Sequence, residues 1–161
     1  MHEQWENKID SFIELADKFN LEIIMVGGGA VNFYGYQRHS ADVDFWINTT
    51  PENFTKLKKV LTELGFEVEE FPDTVKNKEQ NISIKFSPND LDLELITKFS
   101  SFITFDEAYK ESEIIEVIKA EKKLKWNVLS YKHLIESKIR ANRPKDLLDI
   151  QELKRIKDGE I

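Results

Sequence analysis

A chain of 161 residues with 40% apolar content is long enough to bury one core without covalent staples. It has no cysteine, which excludes a disulfide framework and a thiolate metal site. A net charge of −7 disfavours nonspecific adhesion to nucleic acid, and no apolar run reaches bilayer length, so one cytoplasmic domain over residues 1–161 with no membrane contact is expected.

Trp5, Ile9, Phe12, Ile13, Ala16 and Phe19 recur at helical spacing, so the chain opens with a helix that buries one stripe. LEIIMV (21–26) reads as a short buried strand, and the three glycines after it open a turn into a short helix through Ala30, Val31, Phe33 and Tyr34. ADVDFWI (41–47) is the second strand. Thr50 then caps a helix that has Pro51 at its first position and Gly65 just past its end. FEVEEF (66–71), NISIKF (81–86) and LDLELI (91–96) alternate as further strands of the same sheet. Phe99, Phe102 and Phe105 in a Ser/Thr-rich stretch fit an interface or core packing equally well. Thr104 with Glu107 is a capping-box signature for a short helix. Ile114 to Ile118 and Leu124 to Val128 fit a hairpin, with helices as the competing reading. Ser130 starts a helix that includes Lys138, and Pro144 starts the last one.

The chemistry lies in the second strand. Side chains alternate between the faces of a strand, so Asp42 and Asp44 project together while Val43 and Phe45 point to the core. Two carboxylates held side by side repel unless a cation lies between them, and an oxygen-only donor set suits Mg²⁺ sharing its shell with phosphates. Asp92 and Glu94 alternate in the same way: alone they fit a solvated strand face, but if their strand neighbours that of Asp42 and Asp44 it supplies a third carboxylate. Charge is distributed accordingly: residues 1–118 hold 11 Lys and Arg against 23 Asp and Glu, whereas residues 119–145 hold 9 against 2. An acidic part followed by a basic segment is what a metal-and-polyphosphate site requires, although a solvated basic helix has the same composition.

These residues resemble a known family. The Gly27-Gly28 pair, the thirteen residues that follow it, and Asp42-Val43-Asp44 are similar to the signature of the nucleotidyltransferase superfamily, whose fold is shared by DNA polymerase beta and antibiotic nucleotidyltransferases. More closely, GGGAVNFYGYQRHSADVDFWI, the Gly65-Phe66 pair, FDEAY and RPKDLLDIQEL resemble small bacterial nucleotidyltransferase-like proteins related to the AbiEii toxin group. The resemblance implies an α/β (α+β) domain with a mixed sheet flanked by helices. It implies an NTP substrate, Mg²⁺ as cofactor, and transfer of a nucleoside monophosphate to an acceptor: a tRNA, a protein or a small molecule. Asp42 and Asp44 become metal ligands and catalytic residues. Glu94 is the third carboxylate, with Asp92 as the alternative, where relatives usually carry aspartate. Gly27, Gly28, Arg38, Ser40, Lys138, Lys145 and Asp146 become nucleotide contacts, and Arg140 and Arg143 join them if the basic segment turns to the cleft. A toxin–antitoxin role, with a partner protein or homodimer completing the acceptor surface, goes with the same likeness. The competing expectation is a non-catalytic nucleotide- or partner-binding module of the same fold.

Overall fold

The computed structural model describes residues 2–37, 42–86 and 92–159, with side chains in the first helix from Lys8 onward. The elements follow in chain order: α1 (His2–Lys18), β1 (Ile23–Val26), α2 (Gly27–Phe33), β2 (Asp42–Ile47), α3 (Pro51–Glu63), α4 (Asp73–Lys76), β3 (Ile82–Lys85), β4 (Asp92–Ile96), α5 (Phe105–Glu111), β5 (Glu113–Lys119), β6 (Lys122–Val128), α6 (Tyr131–Ala141) and α7 (Pro144–Lys157). The strands form one mixed sheet in the order β3-β4-β2-β1-β6-β5. β4 runs parallel to β2, and β6 parallel to β1, while the other neighbours are antiparallel. This is the expected α/β architecture.

Both faces of the sheet are covered, because β1 and the second half of β2 are apolar on both sides. On one face, Phe45, Ile47, Leu93 and Leu95 pack against Ile9, Phe12, Ile13 and Ala16 of α1 and Leu57, Val60 and Leu61 of α3. Trp5, the first residue of the predicted stripe, lies outside the described side chains. On the other face, Ile24, Val26, Trp46 and Val128 pack against Ala30 and Val31 of α2, Ala108 of α5, Leu134 of α6 and Leu153 of α7. Asp42, Asp44, Asp92 and Glu94 share this second face by strand parity, at the end of β2 and β4 where the apolar cover stops.

Helix boundaries follow the punctuation in the sequence. The Thr50 hydroxyl accepts from the Asn53 backbone N–H at 3.2 Å, with Pro51 next in the chain. Thr104 and Glu107 close a reciprocal capping box on α5, and Ser130 caps α6 by accepting from the His133 N–H at 3.2 Å. Such caps are worth about 1 kcal/mol each. Phe99 and Phe105 both lie 5.2 Å from Trp46, ring to ring, and Phe102 lies under the Arg140 guanidinium, so packing accounts for the three phenylalanines.

The segment 66–71 departs from expectation. It is not a strand: Phe66, Val68 and Phe71 pack on the first core from an irregular chain, which then enters the one-turn α4. Alternation records only which side chains are buried. A strand also needs a ladder partner, and β3 takes the place beside β4. The hairpin reading of residues 114–128 agrees with β5 and β6, joined through Ala120 and Glu121, both at positive φ. Two successive residues in that region match the turn that suits the twist of antiparallel strands. Among the described residues no helix is long and apolar enough to cross a membrane.

Candidate active site

The carboxylates meet because β2 and β4 run side by side in parallel register. Asp42 lies opposite Asp92, and Asp44 opposite Glu94. All four are half-buried. Asp42, Asp92 and Glu94 each offer an oxygen within 4.8 Å of the others. The repulsion is visible on Asp44: partial burial, then the charges of Asp42 and Glu94, push its carboxyl from the usual 3.8 up to about 6, while Lys145 acts in the opposite direction.

The donor chemistry fits a hard divalent cation. Only oxygen ligands are offered, and at Mg–O distances of about 2.1 Å opposite ligands of one ion stand ~4.2 Å apart. The oxygens of Asp42, Asp92 and Glu94 stand close to that spacing, with Asp44 beside them on β2. The other strand neighbour, β3, adds two groups that the sequence reading passed over. Ser83 donates a hydrogen bond to Glu94 Oε1, and Lys85 Nζ lies 3.9 Å from Asp92 Oδ1. Their signal was the alternation of NISIKF, which puts Ser83 and Lys85 on one face, but it acquires meaning only once β3 is known to lie beside β4.

A family model described as "Nucleotidyltransferase of unknown function (DUF6036)" matches residues 6–158. The chain belongs to this nucleotidyltransferase family. No curated protein matches it.

In this member of the family the glycines after β1 act by close approach. Gly27 has φ of +64°, a conformation that L side chains rarely adopt, and a Cβ placed on it would collide with Asp44 Oδ2. Gly29 is similarly tight against the Met25 sulfur, and Gly28 is buried. The α2 backbone thus lies directly against the carboxylate of β2. Gly27→Ala is expected to cost about 1–2 kcal/mol from its left-handed backbone and to displace the Asp44 carboxylate. Urea unfolding read alongside Mg²⁺-dependent nucleotide binding checks this; a variant that binds as tightly as wild type would show that Asp44 can be moved without consequence.

The basic groups separate into two sets. Lys145 is exposed on the first turn of α7, and its charge reaches Asp44. Lys138, by contrast, is buried between α6 and α7. Its Nζ lies 2.8 Å from Asp149 Oδ2 and 3.6 Å from Asp146 Oδ1. Asp146 in turn accepts from the Arg143 backbone N–H at 3.1 Å and from the Arg143 guanidinium at 2.6 and 3.1 Å. Burial pushes the Asp146 carboxyl up, but the hydrogen bonds from Arg143 and the charges of Arg143 and Lys138 outweigh it, so the net direction is down. Lys138, Asp146 and Asp149 therefore form the joint between the last two helices, and Asp146 caps α7. Arg140 pairs with Glu136 at 3.4 Å and stacks on Phe102. Arg38 and Ser40 lie outside the described residues.

Proposed function

We propose that this protein is a Mg²⁺-dependent nucleotidyltransferase that moves a nucleoside monophosphate from an NTP to an acceptor hydroxyl. The observation that carries this reading is the register of β2 on β4, which brings four carboxylates to one open stretch of sheet beside a glycine turn. Asp42 and Asp44, with Glu94 or Asp92, would hold the cation, and Mg²⁺ bound there would neutralise triphosphate charge and make the acceptor hydroxyl more acidic. A β4 carboxylate accepts the hydroxyl proton. The acceptor oxygen then bonds to the α-phosphorus as the bond from that phosphorus to the β-phosphate's bridging oxygen breaks, releasing pyrophosphate. Lys145, exposed and within reach of Asp44, is the cation we assign to the phosphates. In this reading Lys138 and Asp146 orient α7, and so Lys145, rather than touching the nucleotide.

The AbiEii-like strings support a toxin–antitoxin setting, in which the acceptor is a host RNA or protein; a small molecule is the other acceptor class. Sequestration of Lys138 favours a second reading, a nucleotide-binding module without turnover, because it removes from the phosphates a cation that the resemblance assigned to them.

The assay incubates the protein with each α-labelled NTP, Mg²⁺, and total host RNA and protein. Label transferred by wild type, and lost in Asp42→Asn, is the expected result and identifies the acceptor class. Asp92→Asn and Glu94→Gln then identify the third carboxylate by the deeper loss. Nucleotide binding without any transfer would select the non-catalytic module.

A further inference from the structure

We infer that β5 is a self-complementary sheet edge through which two copies of this chain pair into one continuous sheet. β5 ends the strand order, and among the described residues no strand lies beyond it. Sheet edges usually discourage such pairing with brevity, a proline or a bulge. β5 has none of these: EIIEVIK runs seven residues in unbroken register with β6 without a proline, and its three charges, Glu113, Glu116 and Lys119, are of both signs. Four of its seven residues are β-branched apolar, and Ile114, Val117 and Ile118 are 60%, 40% and 82% exposed. That is a large apolar exposure for an edge strand, and a second strand would cover part of it.

The order of residues selects the occupant. A two-fold pairing centred on Glu116 sets β5 antiparallel to itself, the isologous arrangement of most dimers. Glu113 then faces the second copy's Lys119, Ile114 faces Ile118, and Ile115 faces Val117, each pair occurring twice. Opposite charges and β-branched pairs directly across a ladder are the favourable combinations. The one like-charged pair, Glu116 with its own copy on the axis, lies among lysines: Lys123 is 3.7 Å from Glu116, and Lys125 is its ladder partner on β6. Lys119 already meets Asp10 at 3.2 Å, so the second copy's Glu113 adds to an existing pair. β5 lies at the opposite edge of the sheet from β3 and β4, so this dimer leaves the carboxylate site open and does not depend on the proposed activity.

Sedimentation equilibrium of the chain over a range of concentrations tests the inference. Wild type is expected to dimerise reversibly. Glu113→Lys and Lys119→Glu each put like charges opposite one another twice and should weaken the dimer about tenfold, and the double variant should restore it. Ile118→Lys, at a side chain exposed in the monomer, should weaken it while leaving the circular dichroism spectrum unchanged. A wild type that stays monomeric throughout, or a dimer indifferent to these substitutions or not restored by the charge swap, overturns the inference.

Discussion

Lys138→Met lowers the stability of this protein by about 3 kcal/mol or more, because it strips a buried carboxylate of its cation. Lys138 and Asp149 are both almost fully buried and 2.8 Å apart. Asp146 keeps Arg143 after the substitution, and Asp149 gives up its 2.8 Å ammonium contact while the Arg143 charge still acts on it from farther away. The cost therefore arises from the charge left behind rather than from the pair's own attraction, which desolvation largely offsets. It follows that Lys138→Met combined with Asp149→Leu should recover most of the loss. Urea unfolding at neutral pH measures both. If Lys138→Met keeps its midpoint and loses only nucleotide affinity, the lysine serves the phosphates and the joint between α6 and α7 needs no charge.

The same joint sets an acid limit. Asp146 is held below the usual 3.8, so its contribution is complete above that value and is lost as the pH falls through the lower folded value. Acid unfolding by this group therefore begins only below about pH 4.

Asp44→Asn is the second large expected effect, and its sign is opposite. The folded protein holds the Asp44 proton up to about pH 6, against the usual 3.8, so ionised Asp44 opposes folding above pH 6 and the penalty fades as the pH falls toward 3.8. The full shift corresponds to about 3 kcal/mol, which partial exposure reduces to roughly 1–2 kcal/mol. With a chelator present at pH 8, Asp44→Asn should be more heat-stable than wild type by that amount, and at pH 4 the two should nearly coincide. Mg²⁺-dependent nucleotide binding should be lost at the same time. Strain released together with function lost is the signature of an active-site carboxylate. A variant that melts below wild type at pH 8 would mean that Asp44 is a stabilising hydrogen-bond acceptor instead.

Much of this was legible in the chain because it depends on near neighbours. The spacing of Asp42 and Asp44 puts them on one face of any strand. Thr50-Pro51, Thr104 with Glu107, Ser130 and Pro144 start helices through contacts within three or four residues. Three consecutive glycines announce a turn from strand into helix, and Gly27, at a φ of +64°, opens α2 directly after β1.

The rest depended on contacts between distant segments. Periodicity gave 66–71 the look of a strand, but the place beside β4 belongs to β3. Lys138 belongs to a basic segment suited to phosphates, yet which helix face meets α7 depends on how α6 packs, and that face carries its Nζ to Asp149. By itself the sequence determined the kind of site: paired carboxylates on alternating strands, a glycine turn and a basic segment. Only the tertiary structure decided which carboxylates stand together and which cation faces them. Strand register and helix rotation are set by burial across the whole sheet, where a shift of one residue would turn every carboxylate to the other face.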